Sequence, residues 1–296
     1  MKSSIIPTLI ATFSLALHAL AQETAPIPPK TFDTPVEASD AFITAAKNGD
    51  QQAILEIFGD KHKDLIGTAE PEHDKELRAK VAAMAIERRR FRNNDGNSVT
   101  MVIGAEAWPF PVPIVKTEKG WQFDSDTGIQ EIVNRRIGEN ELSAIATLRA
   151  YVDAQRAYAA EPRDGSNVRQ FAQMLQSSPG KKDGLHWPTT EGEAPSPAGP
   201  EIKDEKTPHA GYHFKILTAQ GDTAPAGRFS YIINGRLIAG FAMVAWPADY
   251  GKTGVMTMLV NHYGDVYEND LGPESAKLAA AISEYNPDES WARSQD

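Results

Sequence analysis

The chain of 296 residues contains no cysteine, and this absence limits its fold more than any other feature of the sequence. Without thiols the chain forms neither disulfide bonds nor thiolate metal sites, and a cysteine nucleophile is excluded. Such a chain must be held together by buried apolar side chains alone. Its length is sufficient for one large hydrophobic core or for two domains of ordinary size.

Residues 1–21 have the pattern of a secretory signal peptide. Lys2 supplies a positive charge, residues 5–17 are apolar, and Ala-Leu-Ala at residues 19–21 fits a signal-peptidase site. The apolar stretch is shorter than the roughly 20 residues that a membrane-spanning helix needs. We therefore expect cleavage near Ala21, a mature chain without a membrane span, and a location in the periplasm or outside the cell. An uncleaved anchor at the membrane interface is the alternative.

The charge of the chain argues against a nucleic-acid partner. The formal net charge is −10 at pH 7, so the protein has no global positive field for nucleic acid or anionic lipid. One local basic run is formed by Arg88, Arg89, Arg90 and Arg92. We interpret this run as the solvated face of a helix.

An N-terminal α+β domain is predicted over residues 32–128, after a proline-containing linker at residues 22–31. Thr34 fits the N-cap of its first helix, Pro35 the first helical position and Glu37 the third. Together they form a capping box, which satisfies backbone N–H groups that the first turn of a helix leaves unpaired. Two further helices are expected before the sequence pattern changes.

The third of these helices is predicted over residues 74–92, and alternating apolar residues follow it. They predict strands at residues 99–103, around 114–115 and at 121–123. Helices followed by a curved antiparallel sheet are typical of an α+β domain. Over residues 32–126 the pattern resembles the cone-shaped fold of the nuclear-transport-factor-like superfamily.

A second α+β domain is predicted over residues 129–296, and it begins with helical segments. A helix at residues 129–137 is expected to break at Gly138, and a long helix is expected over about 139–160, where apolar residues recur at three- and four-residue steps. A short helix around Phe171 is expected next.

The rest of the second domain is predicted to be a proline-rich loop followed by an antiparallel β-meander. The loop spans residues 177–210 and shows little periodicity, and a loop of this length is usually functional or disordered. Asn234 and Gly235 predict a type I′ hairpin turn within the meander. A long helix with an antiparallel meander resembles the globular half of a pilin.

Eight short strings together resemble one bacterial exported family, catalogued as domain of unknown function 2950. The strings are AWPFP at 107–111, GWQFD at 120–124, NRRIGENEL at 134–142, KDGLHWP at 182–188, SPAGP at 196–200, GFAMVAWP at 240–247, YGKTG at 250–254 and DLGP at 270–273. They follow one another along nearly the whole chain after residue 21. His186 departs from the pattern, because a tyrosine is expected there. The resemblance implies export and a fold but no activity.

Common catalytic strings are absent, and the candidate metal ligands are two histidines, with His186 and Asp183 in the same loop region. The chain has no G-x-S-x-G, no H-E-x-x-H, no P-loop and no G-x-G-x-x-G string. His209 and His213 are metal-ligand candidates, but in an extended segment they stand about 13 Å apart. Zinc needs three or four close ligands. We therefore interpret His209 and His213 as ordinary surface histidines, and we expect no cofactor.

The proline-rich loop and its C-terminal end carry the main candidates for ligand binding. Trp187 stands beside Pro188, and an exposed tryptophan can stack on a sugar or a peptide, although it can also anchor the loop in the core. Asp183, His209 and Tyr212 are further binding candidates in the same region. Asp183 and His209 are also the catalytic candidates if the protein is a hydrolase.

Arg135 and Arg136 are the last candidates. We favour a structural role in which these arginines bridge the two domains through carboxylates near the expected helix break at Gly138. The alternative is an anion clamp that uses the N-terminus of the long helix. Acidic residues at that N-terminus, such as Glu139, argue against an anionic ligand.

The function that these features favour is a non-catalytic binding or assembly module of the cell envelope, which presents residues 181–212 to an envelope protein or polymer. A hydrolase that acts on an envelope polymer is the first alternative. A structural accessory of a secretion or pilus-like apparatus is the second, because the second half resembles a pilin.

Overall fold

The computed structural model describes residues 26–63, 71–163, 165–198 and 206–295. The expected signal peptide, its cleavage site and the start of the linker lie outside the described residues. The chain divides into two compact units, the first ending at Ser125 and the second beginning at Asp126. Within the described ranges, no helix is both long enough and apolar enough to cross a membrane.

The first unit combines three described helices with one antiparallel sheet. The helices are α1 (Pro35–Asn48), α2 (Gln51–Phe58) and α3 (Pro71–Glu87). The strands are β1 (Arg89–Asn93), β2 (Ser98–Ile103), β3 (Trp108–Pro109), β4 (Ile114–Thr117) and β5 (Gly120–Phe123). The sheet order is β1-β2-β4-β5, and β3 also pairs with β2.

Local capping fixes where helix α1 begins. The backbone N–H of Glu37 donates to the Thr34 hydroxyl at 3.2 Å, and the Glu37 carboxylate accepts the backbone N–H of Asp33 at 3.2 Å. Pro35 occupies the first turn. The predicted capping box is therefore present, with Asp33 as the reciprocal donor.

Four phenylalanine rings form the centre of the core of the first unit. They come from α1, α2, the segment after β3, and β5, and adjacent ring centroids lie 4.7–6.2 Å apart. The rings belong to Phe42, Phe58, Phe110 and Phe123. Helices α1 and α2 thus pack on the sheet through one shared apolar core.

The basic run at residues 88–92 was predicted to lie on a helix, and this prediction was wrong. Helix α3 ends at Glu87, and β1 pairs with β2 in antiparallel register, with Phe91 opposite Met101. Phe91 packs against the core while its neighbours Arg90 and Arg92 are exposed. A strand produces this alternation, because successive side chains point to opposite faces. The arginines therefore alternate between the two faces of a strand.

In its described residues, the second unit has one long helix, one short helix and several antiparallel sheets. The helices are α4 (Ser125–Tyr158) and α5 (Ser275–Ala281), the latter preceded by a 3-10 turn (Gly272–Glu274). The strands are β6 (Tyr212–Leu217), β7 (Ala219–Gln220), β8 (Phe229–Ser230), β9 (Ile232–Ile233), β10 (Arg236–Leu237), β11 (Ala242–Pro247), β12 (Thr257–Asn261), β13 (Val266–Asn269) and β14 (Ala292–Arg293). The α+β class is confirmed, whereas the cone-like and pilin-like comparisons stay predictions.

The main sheet of the second unit has the order β14-β13-β12-β11-β6. Every residue of β11 and β12 is buried, so these central strands are covered on both faces. The core cluster joins them to apolar residues of α4 and to Ala279 of α5. The Lys215 ammonium, on β6, donates to the carbonyl of Ala280 at 2.6 Å, which ties α5 to the sheet.

Helix α4 runs through Gly138 without a break, so the predicted interruption there was wrong. A glycine inside a helix costs about 1 kcal/mol relative to alanine. Apolar residues of α4 from Ala144 to Tyr158 are buried in the core, and this burial outweighs the cost. The side-chain position of Gly138 is open, with no atom of another residue within 4 Å.

The expected short helix around Phe171 is also absent; Phe171 instead forms an isolated bridge with Leu237. Buried Gln155 of α4 explains this path. Its amide donates to the carbonyl of Ala172 at 2.8 Å, and its carbonyl accepts the N–H of Ala172 at 2.8 Å. The chain is thereby held extended against the helix. At Asn234 and Gly235 both φ angles are positive, as a type I′ turn requires.

Candidate ligand-binding cleft

The second unit contains a cleft of about 760 Å³ where the chain folds back after α4. Its walls come from the end of α4, the segment around Phe171 and the first part of the proline-rich loop. The lining residues are Tyr158, Arg163, Gln170, Phe171, Gln173, Met174, Lys181, Lys182 and Asp183. One residue of the predicted binding set, Asp183, is among them.

Tyr158 and Arg163 form the wall at the end of α4. Tyr158 is buried, and its hydroxyl donates to the carbonyl of Lys182 at 3.0 Å. The Arg163 Nε–H donates to the carbonyl of Tyr158 at 3.0 Å, which satisfies a carbonyl near the C-terminus of the helix. The helix end therefore positions both the arginine and the backbone that carries Lys182.

Trp187 lies against this wall and belongs to the hydrophobic core. Only 5% of its surface is exposed, so it is an anchor of the loop and not an open stacking surface. The Arg163 guanidinium lies 5.2 Å from a Trp187 ring centroid, and the Lys182 ammonium lies 5.5 Å from it. Both distances are typical of cation–π contacts. The indole Nε1–H is buried without a hydrogen-bond partner among the described residues.

Lys181 and Lys182 lie in a turn of the loop that is closed by backbone hydrogen bonds. The backbone N–H of Ser177 donates to the carbonyl of His186 at 2.8 Å, and the N–H of His186 donates to the carbonyl of Leu175 at 2.8 Å. Gly184 permits this closure, because a Cβ atom there would lie 2.6 Å from the backbone of Gln176. The segment between these bonds therefore projects Lys181 and Lys182 from a fixed base.

Asp183 is a carboxylate with a structural hydrogen bond. It accepts the backbone N–H of Ser178 at 2.7 Å. Burial raises the pKa of Asp183, but the hydrogen bonds from Ser178 and the charge of Lys181 outweigh that effect, and the pKa lies below its ordinary value. Asp183 is therefore ionised at neutral pH, which suits a base or an ion-pair partner and does not suit a general acid.

The cleft carries more positive than negative charge. Arg163, Lys181 and Lys182 line it, against the carboxylate of Asp183, and exposed Glu161 lies 3.9 Å from Arg163. Phe171 and Met174 add apolar surface, and two glutamine amides add hydrogen-bonding groups. Among the described residues, Asp183 is the only carboxylate of the lining, whereas glycosidic hydrolysis uses a pair, so this composition fits the binding of an anion better.

Tyr212 and the YGKTG string at residues 250–254 have structural roles. The Tyr212 ring is fully buried, and its hydroxyl donates to the carbonyl of Met256 at 3.0 Å. A Cβ atom at Gly254 would lie 2.2 Å from the Tyr212 hydroxyl, so only glycine fits there. Burial and the charge of Glu141 raise the pKa of Tyr212 above its ordinary range.

Two residues of the NRRIGENEL string hold the same turn. The Glu141 carboxylate accepts the backbone N–H groups of Val255 at 2.9 Å and Met256 at 3.0 Å. The Asn140 amide donates to the carbonyl of Thr253 at 2.8 Å. Two of the strings that resemble the bacterial family thus meet in space, where they fix a helix to a turn.

The arginines of that string do not line the cleft. Arg135 pairs with Glu131 of the same helix, with 2.8 Å between the Arg135 Nε and the Glu131 Oε1, and Arg136 is exposed. Because α4 is continuous, the helix N-terminus that an anion clamp would use is not near Glu139. These observations leave the roles of both arginines as predictions.

His209 and His213 also lie outside the cleft lining. His209 is bridged to Tyr212 through two backbone hydrogen bonds, and His213 stacks on Trp246 with ring centroids 5.5 Å apart. Among the described residues, no group of three or more His, Cys, Asp or Glu side chains could hold a metal ion. The cleft therefore combines Asp183 with neither of the two histidines.

Several lining residues were missed by the sequence analysis, most clearly Arg163, Gln170 and Gln173. The paired lysines beside Asp183 were a signal, since they precede the DGLHWP string directly. Arg163 gave no such signal, because its place depends on where α4 ends and on how Trp187 folds back.

Comparison with known proteins supports the family resemblance and adds no closer relative. Neither a search of curated proteins nor a search of solved structures finds a match. Residues 29–294 match the family model described as a protein of unknown function (DUF2950), and the chain therefore belongs to this family.

Proposed function

We propose that this protein is an exported binding module without catalytic activity, and that its cleft holds an acidic, sugar-containing segment of an envelope polymer. The observation that carries the proposal is the cationic lining of the cleft by Arg163, Lys181 and Lys182 around one carboxylate that already has a partner. Export is supported by the signal-peptide pattern of residues 1–21.

The rest of the lining narrows the ligand class. Arg163 contacts two aromatic rings and donates to the carbonyl of Tyr158, so its planar guanidinium is a pre-oriented partner for a carboxylate. The exposed side chain of Met174 and the ring of Phe171 suit the apolar face of a sugar. Gln170 and Gln173 offer amide groups to hydroxyl or acetamido groups. A carboxylate-bearing glycan fragment combines these features.

The test is a calorimetric titration of the purified chain with a disaccharide–peptide fragment of peptidoglycan and with a neutral N-acetylglucosamine oligomer. We expect binding of the acidic fragment, weaker binding at high salt, and little binding of the neutral one. Replacing both cleft lysines (Lys181→Gln with Lys182→Gln) weakens binding by about tenfold, which corresponds to about 1.4 kcal/mol. Lys252→Gln with Lys277→Gln, at two exposed lysines outside the cleft lining, is the matched control.

A hydrolase that uses Asp183 is the second candidate, because the lowered pKa of this cleft residue keeps its carboxylate ionised. The two functions are separated by analysing the titrated fragment for cleavage products. New reducing ends that disappear in Asp183→Asn establish the hydrolase. An intact fragment that binds supports the binding module, and equal binding of the acidic and neutral ligands contradicts it.

A further inference from the structure

Strand β1 forms a free edge of the sheet in the first unit. Among the described residues it pairs with β2 alone, and it stands at the end of the sheet order. The backbone N–H of Phe110 donates to the carbonyl of Met101 at 2.8 Å, so Met101 directs its backbone groups away from β1. Phe91 is the partner of Met101 in register and therefore directs its own N–H and C=O to the outer edge.

The neighbouring positions confirm this alternation. The carbonyl of Arg88 accepts the N–H of Gly104 at 3.0 Å, and the N–H of Asn94 donates to the carbonyl of Ser98 at 2.9 Å. Even-numbered residues thus face β2, and odd-numbered residues of β1 face outward. No backbone hydrogen bond from the part of the chain that the structure describes reaches this outer edge.

The side chains beside this edge carry a row of positive charge. Arg90 and Arg92 of β1 and Arg88, which directly precedes it, are exposed and recur at every second position, so neighbouring members are about 6.8 Å apart along the strand direction. Arg89 points to the opposite face, where its guanidinium contacts Asp40 at 2.6 Å. The strand itself contains no acidic residue.

A charged edge can serve only to prevent unwanted strand pairing. Here the three charges have the same sign and a regular spacing. This pattern favours a partner strand with negative charges over one with positive charges. A second copy of the same strand would place arginine opposite arginine, and like charges directly opposite one another destabilise a strand pair. A strand with carboxylates at alternate positions would instead meet the row in register.

We propose that the β1 edge is a docking site for an extended acidic peptide, which adds to the sheet as a further antiparallel strand. Backbone groups of Arg89, Phe91 and Asn93 supply the hydrogen bonds, and the row of Arg88, Arg90 and Arg92 selects carboxylates at every second position of the partner. This surface lies in the first unit, and it is separate from the proposed glycan cleft.

The test is fluorescence anisotropy of the purified chain with a labelled peptide in which glutamate alternates with valine or threonine. Replacing the two arginines of the row that lie within β1 (Arg90→Gln with Arg92→Gln) should weaken binding by about tenfold. A double variant with the same charge change at exposed basic residues of the second unit, Arg169→Gln with Lys277→Gln, should bind as the unaltered protein does. Circular dichroism verifies that each variant is folded.

Two further probes separate strand addition from simple charge attraction. A peptide with alternating N-methyl groups keeps its carboxylates but cannot complete the backbone ladder, and we expect its binding to be lost. A lysine peptide should not bind. The proposal is overturned if the glutamate peptide fails to bind, if both double variants bind it equally well, or if the N-methylated peptide or inorganic polyphosphate binds as tightly as the glutamate peptide.

Discussion

The guanidinium of Arg163 lies 5.2 Å from the ring centroid of Trp187, and it lies 5.0 Å from the ring centroid of Tyr158. The guanidinium therefore contacts two aromatic rings, and only 17% of the Arg163 side chain is exposed. This arrangement joins the core to the cleft, because Trp187 is buried while Arg163 lines the site. Stability and ligand binding should consequently respond differently to changes at these residues.

Replacing Trp187 should destabilise the second unit. Trp187→Ala removes a large buried side chain and should lower the free energy of unfolding by about 3–5 kcal/mol. Urea unfolding followed by circular dichroism measures the loss, and Tyr263→Ala, at a side chain that is 60% exposed, is the control. A Trp187→Ala protein as stable as this control would show that the proline-rich loop is peripheral.

Glu141 should be necessary for the turn that it holds. Glu141→Ala leaves the N–H groups of Val255 and Met256 without their acceptor, which should cost about 2–3 kcal/mol. Amide hydrogen exchange at these two residues should accelerate as well. Glu139→Ala, at an exposed position of the same helix, should change stability by no more than about 0.5 kcal/mol. Unchanged exchange at Val255 in Glu141→Ala would refute the proposed role.

An alanine at Gly138 should make the protein more stable. The position lies inside α4, and a Cβ atom there meets nothing within 4 Å, so Gly138→Ala should stabilise by about 0.5–1 kcal/mol. Gly254→Ala should instead destabilise the protein, because its Cβ would collide with Tyr212. A destabilising Gly138→Ala would indicate a helix break at that residue after all.

His262 should make stability fall in mild acid. Burial lowers the pKa of His262 below its ordinary value of 6.5, a backbone hydrogen bond at Phe241 partly raises it, and the charge of Arg156 lowers it further. The unfolded chain therefore binds a proton more readily than the folded one. The stability due to neutral His262 is present above about pH 6.5 and is lost as the pH falls through the folded-state pKa.

The difference between the wild type and His262→Gln isolates this contribution from other titrating groups. Between about pH 7 and about pH 5, the melting temperature of the wild type should decrease more than that of the variant. Equal decreases in the two proteins would show that His262 does not contribute.

The features of the fold that depend on local chemistry could be predicted from the sequence. The capping box at Thr34 and the turn at Asn234 and Gly235 were predicted correctly, because a few neighbouring residues determine them. The break at Gly138 was predicted from an intrinsic preference of about 1 kcal/mol, which the burial of the rest of α4 overrides. Helix α3 was extended too far because Phe91 fits an apolar stripe of a helix as well as a face of a strand.

The candidate site could be predicted only in part, because it depends on contacts between distant segments. Asp183 was identified from its own loop, and it lines the cleft. Trp187 was identified too, but its burial depends on Tyr158 and Arg163, which no local pattern connects to it. Tyr212 is a binding candidate from sequence because it is an aromatic residue at the end of the loop region, whereas its burial against Gly254 depends on a contact between residues remote in sequence.

The most direct test of the cleft as a binding site follows the indole N–H signals of the five tryptophans by NMR during titration with the acidic peptidoglycan fragment. Trp187→Phe assigns the signal of Trp187. Because Arg163 and Lys182 both contact this ring and line the cleft, binding should shift the Trp187 signal and leave those of Trp108 and Trp121 unchanged. A Trp187 signal that stays in place at saturating ligand, or a shift confined to Trp108 and Trp121, would contradict the account.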